Sequence, residues 1–356
     1  MGIILRKTKA RKRKRVEKTA DNMLVAVINP VCGHKTARSD FEQHVFPRLT
    51  FEQTIYTQQY SILSSAQTVV IGSGDGTIHE VINAVYPHKL DFVLIPCGTA
   101  NALYASLFGY DDKLKSLNAY LNKSLPLPLS LASTTITDKP VLSSVVVSTS
   151  LHASILHHSE ALRESHPGLE RFKIAAEQNA KNWYNASVKL HGDIQIYDPK
   201  SKSFLPHPED TLDGPFVYFL STVNVDRLEP TFRISPLARD LPSPNTCDIV
   251  IIRPLRHPAR SDRADFVSTT WKTLTGAYAD GAHIQFTYRP DGTIDENAEQ
   301  GIPVVEYIRC AGWEWIPHPQ DQDAHLLCAD GTIFQIPIKG KAVTSILQDH
   351  PFSVYT

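Results

Sequence analysis

Thr68-Val69-Val70-Ile71-Gly72-Ser73-Gly74-Asp75-Gly76-Thr77-Ile78-His79-Glu80-Val81-Ile82-Asn83-Ala84-Val85 is the stretch that decides the fold. A β-branched run, Thr68–Ile71, stops at a glycine turn. Beyond the turn Ile78, Val81, Ile82 and Val85 fall at i, i+3, i+4 and i+7, one stripe of a helix. Strand, glycine turn and helix start together offer free backbone N–H groups to a phosphate. No Gly-Lys-Ser/Thr follows, so the loop is not a Walker A loop, and its glycines miss the Gly-x-Gly-x-x-Gly spacing by one position. Asp75 is out of place among phosphate-binding glycines. At ~4 Å two unit charges repel by roughly 1 kcal/mol in water and about 4 kcal/mol at an effective dielectric of 20. A carboxylate there either holds Mg²⁺, takes a proton from a nucleophile attacking the phosphate, or simply orders the turn.

The flanking sequence repeats this pattern. Met23–Ile28 and Asp91–Ile95 are apolar runs of strand length, and Thr54–Thr57 is a further β-branched run. Thr36–Phe46, stopped by Pro47, and Ala100–Leu107 read as helices. Strands alternating with short helices predict a parallel sheet with helices on its faces. Asn29-Pro30-Val31-Cys32-Gly33 and Pro96-Cys97-Gly98-Thr99-Ala100-Asn101 follow two of the strands. Ligands of open parallel sheets bind outside the carboxyl ends of the strands, so three glycine loops at such ends converge on one crevice.

The texture changes near residue 125, where Pro126 and Pro128 break the alternation. Strand-like segments then follow one another: Leu142–Thr149, Ser187–Tyr197, Phe216–Val223, Ile249–Ile252, His283–Tyr288, Val304–Ile308, Leu326–Cys328 and Thr332–Ile336. A single helical interruption is read at about Ser159–Tyr184. The predicted architecture is an α/β N-terminal domain with a parallel sheet flanked by helices, over 22–128. A mainly antiparallel β-sandwich domain follows over 129–356, and its last ~10 residues are a candidate for return to the first domain. Residues 1–21 form a basic tail.

Charge is unevenly spread over the 356 residues. Residues 1–18 carry nine Lys/Arg against Glu17 alone, and the remainder has 27 basic and 36 acidic residues. A mildly acidic body argues against a duplex-DNA binder, and no nucleic-acid partner is expected. With 42% hydrophobic residues the chain can bury a full core, and no apolar run approaches the ~18–20 residues of a membrane helix. Five widely spaced cysteines without Cys-x-x-Cys argue against a disulfide framework or a zinc site and for a reducing, cytoplasmic compartment.

Asn-Pro-x-x-Gly, then Ser-Gly-Asp-Gly-x-x-His-Glu-x-x-Asn, then Pro-x-Gly-x-x-Asn-Ala, in this order, resemble the catalytic domain of the diacylglycerol kinase/sphingosine kinase family. Ser73 to Asn83 is most similar to the sphingosine and ceramide kinase branch. The resemblance implies an ATP- and Mg²⁺-dependent lipid kinase with nucleotide in the cleft between two domains and a lipid pocket in the β domain. Carried over by position, Asn29, Pro30, Val31 and Thr57 line the nucleotide site. Gly98, Thr99 and Ala100 approach the phosphates, Glu80 helps hold ATP or its metal, and Asp75 is the general base. Ser159-Glu160-Ala161-Leu162-Arg163 and Arg171-Phe172 resemble the family's phosphate-contacting arginine motifs. Asp330 and Gly331 stand at its late Asp-Gly-Glu, whose glutamate is Thr332 here. The substrate hydroxyl is expected beside Ser73, Gly74 and Gly76, while the metal ligands are unassigned.

Ser154 and Leu156 occupy the positions where sphingosine kinases carry an acidic pair that holds the lipid's amine. The expected acceptor is still a sphingoid base, with ceramide or diacylglycerol as alternatives. A non-catalytic lipid- or nucleotide-binding protein is the alternative of another class. Arg6–Arg15 either draws the chain to an anionic membrane surface, giving peripheral association, or acts as a nuclear-import signal.

Overall fold

The computed structural model describes residues 23–33, 35–56, 60–166, 168, 170–296 and 300–356. The basic tail and Thr57 lie outside these residues. No helix among them is long and apolar enough to cross a membrane.

The first sheet is built from β1 (Leu24–Ile28), β2 (Gln53–Ile55), β3 (Thr68–Ser73), β4 (Leu90–Pro96) and β5 (Pro126–Pro128), together with the C-terminal strand Phe352–Tyr355. Its order is β2-β1-β3-β4, then Phe352–Tyr355, then β5, and all strands but β5 run parallel. Alternation along each strand feeds two cores, because successive side chains point to opposite faces. Val25, Val27, Val69, Ile71, Phe92 and Leu94 pack on one side, against α2 (Asp75–Val85) and α3 (Ala102–Phe108). Leu24, Ala26, Ile28, Val70, Val93 and Ile95 pack on the other, against α1 (Ala37–Asp40), its π-helical continuation Phe41–Val45, and α4 (Lys115–Leu121). The predicted helix at Thr36–Phe46 is thus two short turns of different pitch.

Insertion of Phe352–Tyr355 closes the sheet. The Phe352 ring stacks on Phe92 at 5.7 Å, Tyr355 meets Tyr120 at 5.0 Å, and Leu129 N–H donates to the Phe352 carbonyl at 2.9 Å.

The second half is built on two large antiparallel sheets and a small one that pairs Thr287–Tyr288 with Ile294–Asp295. One large sheet has eight strands running from the edge Ser203–Pro206 to the edge Thr332–Gln335, and the other has six, from Thr211–Asp213 to Pro140–Ser143. They face each other across an aromatic core in which Trp313 meets Phe219 at 4.9 Å and Trp315 meets Phe216 at 5.1 Å. Two expectations are corrected here. The run Leu142–Thr149 is two strands, Pro140–Ser143 in the six-stranded sheet and Val146–Thr149 in the eight-stranded one, with a crossover at residues 144–145. The helical interruption begins earlier, with α5 (Ser150–Ala161) leaving the strand directly, then α6 (Glu170–Asn179). α7 (Leu237–Asp240) and the 16-residue α8 (Arg263–Tyr278) come from sequence that gives no strong helical stripe.

Candidate functional site

β1, β3 and β4 are neighbours, so the loops after them meet. Asn29 N–H donates to the Gly72 carbonyl at 3.0 Å and Cys97 N–H to the Ser73 carbonyl at 3.0 Å. The contact between loops is backbone to backbone. A Cβ built on Gly98 lies 2.5 Å from the Gly74 Cα, and one on Gly33, whose φ is +47°, lies 2.3 Å from the Cys97 carbonyl oxygen. No side chain fits at either place. Gly76 faces open space, and Pro30, Val31 and Thr99 are exposed at the mouth.

Polar side chains fix the loops. Asn29 Nδ2 donates to Thr77 Oγ1 at 3.2 Å, and the Ser73 and Thr77 hydroxyls lie 2.6 Å apart. Asn101, at φ +52°, takes the Gly98 N–H on its Oδ1 at 2.9 Å and returns Nδ2 to the Gly98 carbonyl at 2.8 Å. That double bond clamps the third loop. The spacing Gly98-x-x-Asn101 is the sequence signal of this clamp.

Asp75 opens α2 and reaches across to α3. Its Oδ2 accepts from Ala102 N–H at 2.8 Å and its Oδ1 from Leu103 N–H at 3.0 Å. Burial pushes its carboxyl above the usual aspartate range, and the two amides work against that shift. The N-terminus of α2 itself has no side-chain cap, so its first amides are available to a ligand.

Glu80, exposed on α2, accepts from the Tyr60 hydroxyl at 3.0 Å. Arg163 and Arg171 share Glu160, at 2.7 and 3.4 Å, and the Arg171 guanidinium lies over the Phe172 ring at 4.5 Å. Among the described residues the side-chain hydrogen bonds of both arginines go to Glu160. Ser154 is fully buried with an unpaired hydroxyl, and Leu156 packs beside Leu326, Cys328 and Ile333.

Asp330 lies within electrostatic reach of Asp75. Its carboxylate is buried and accepts from the N–H groups of Ser144, Val145 and Val146 at 2.7, 3.0 and 2.8 Å. Gly331, beside it, completes the hairpin turn at φ +91°.

The residues suit a nucleoside triphosphate. Glycines hold the loops too close for side chains, the start of α2 beside them carries no side-chain cap, and Asp75 opens that helix. Among the described residues no group of three or more His, Cys, Asp or Glu side chains could by itself hold a metal. Mg²⁺ is usually bound by one or two carboxylates plus substrate phosphates, and that mode needs no such group.

A parallel sheet carrying three glycine loops is joined to a β-rich half built on two large antiparallel sheets. Residues 23–130 match the family model of the diacylglycerol kinase catalytic domain. The match does not single out the sphingosine branch. Two solved structures described as diacylglycerol kinases from Bacillus anthracis str. Sterne share the fold. One has a TM-score of 0.59 at 11% identity over 96% of this chain and 97% of that one. The other has a TM-score of 0.54 at 12% identity over 93% and 96%. No curated protein sequence matches the chain significantly.

Proposed function

We propose that this protein transfers the γ-phosphate of ATP, with Mg²⁺, to a hydroxyl of a long-chain lipid. The observation that carries the reading is the Asp75 carboxylate, held at the floor of a glycine crevice and made more basic by burial. Asp75 takes the proton from the lipid hydroxyl. The uncapped amides at the start of α2 and the backbone of Gly98, Thr99 and Ala100 receive phosphate oxygens, while Asn29, Pro30 and Val31 line the nucleotide. Arg163 and Arg171, held by a shared glutamate, can turn to the phosphates when nucleotide binds. ATP supplies the phosphoryl group, and Mg²⁺ offsets its charge.

The absence of a carboxylate at Ser154 and Leu156 supports an uncharged acceptor, diacylglycerol or ceramide, ahead of a sphingoid base. Incubation with radiolabelled ATP and a panel of the three lipids tests this. Label in diacylglycerol or ceramide is the expected result. Label only in the sphingoid base overturns the headgroup assignment, and no labelled lipid overturns the kinase assignment.

The basic tail is assigned to anionic membrane, at about 1 kcal/mol per basic residue near the surface. Deleting residues 1–18 should weaken sedimentation with anionic vesicles and spare turnover on detergent-solubilised lipid. Loss of turnover as well would place the tail in catalysis.

A further inference from the structure

The helix α2 that carries Asp75 is tied to the second domain through Asn83 and His79. Asn83 uses both ends of its amide on Leu142, with Nδ2 donating to the carbonyl at 2.8 Å and Oδ1 accepting the N–H at 2.9 Å. It thereby pairs with the edge strand Pro140–Ser143 as a neighbouring strand would. One turn earlier, His79 Nδ1 lies 3.4 Å from Asp330 Oδ2. Asp330 in turn holds the next three amides, Ser144 to Val146, and Asn224 Nδ2 donates to the Ser144 carbonyl at 2.9 Å. The segment so gripped is the crossover by which the chain passes from one sheet of the sandwich to the other. Asp75 sits at the start of the same helix, two turns from Asn83.

We propose that His79, Asn83 and Asp330 form a latch that sets the distance between Asp75 and an acceptor held by the second domain, with Asn83 as a positioning residue for transfer to lipid. The proposal rests on the kinase reading and assigns a task to motif residues whose side chains reach from one half of the chain to the other. It also explains why Asp330 is retained while its neighbour is Thr332: the latch uses the carboxylate and its turn and has no use for a glutamate there.

Three measurements on the full chain and Asn83→Ala test it: nucleotide affinity, the ratio of phosphoryl transfer to lipid over transfer to water, and amide exchange. A displacement of about 1 Å can lower a rate by ~100-fold, whereas water needs no placement by the second domain. The expected result is nucleotide affinity within about twofold of the unaltered chain, a transfer-to-hydrolysis ratio lowered by roughly 10–100-fold, and faster exchange at Leu142. Asn83→Asp, which keeps only the acceptor for Leu142 N–H, should fall between. A merely structural role would lower transfer and hydrolysis by the same factor, and that outcome, or an unchanged ratio, overturns the proposal. If the unaltered protein phosphorylates no lipid, the kinase reading fails separately. The latch is then decided by exchange at Leu142 to Val146, and amides unchanged in both Asn83→Ala and Asp330→Asn overturn it.

Discussion

Asp75 performs two tasks with one carboxylate, since the oxygens proposed to accept the substrate proton also cap α3. Asp75→Asn should therefore lower kcat by about 100-fold or more, on the scale of general-base loss. It should also cost about 1 kcal/mol of stability, as cap substitutions do, measured by urea unfolding. Full turnover in that variant would remove Asp75 from catalysis. The pH dependence has opposite signs for stability and rate. Burial favours the neutral carboxyl, so the folded chain binds this proton more tightly than the unfolded chain, whose carboxyl keeps the ordinary value of 3.8. The stability it contributes is present at low pH and declines as pH rises above that value, whereas kcat should rise over the same interval. The acid limb of kcat should accordingly lie above the ordinary aspartate range and vanish in Asp75→Asn. The position of Asp75 in a glycine turn was legible because turn chemistry is local. Its partners at Ala102 and Leu103 were not, because no local pattern marks a cap that comes from another element. The same reason hid the partners of Asp330, which lie about 185 positions away.

Elements meet most closely at the glycine loops. Gly98→Ala should push the third loop from the second, since its Cβ would meet backbone at Gly74 and the clamp oxygen of Asn101 at 2.9 Å. Titration with a fluorescent nucleotide should show affinity lowered by at least ~10-fold, roughly 1.4 kcal/mol. Unchanged affinity would mean that the phosphates lie elsewhere. The strands and loops of the first domain were readable because two-sided burial leaves continuous apolar runs. α8 was not. It carries Thr269, Thr270, Thr273 and Thr275, which are poor helix formers, and three of them turn their hydroxyls back to carbonyls four residues earlier. The available signal was Asp262, whose side chain accepts from Ala264 and Asp265 N–H. Asp262→Ala should cost about 1 kcal/mol in thermal or urea unfolding.

At the scale of the molecule the two halves share one covalent route out and another back, since residues 352–355 complete the sheet begun at residue 24. Phe352 is fully buried, and Phe352→Ala should cost about 3–5 kcal/mol in urea unfolding, a magnitude typical of core phenylalanines. A cost below ~1 kcal/mol would show that the strand is dispensable. The two-domain plan was legible from the change of texture near residue 125, but strand order in the sandwich was not, because pairing there joins distant segments. The returning strand also has a consequence in time. Domains commonly fold on the ribosome as they emerge, the first before the second. Here the slot between β4 and β5 stays empty until Tyr355 has cleared the exit tunnel, so the first sheet is completed only after the sandwich strands have been made. A stalled or prematurely terminated chain would hold every loop of the crevice and still lack a finished sheet beneath it.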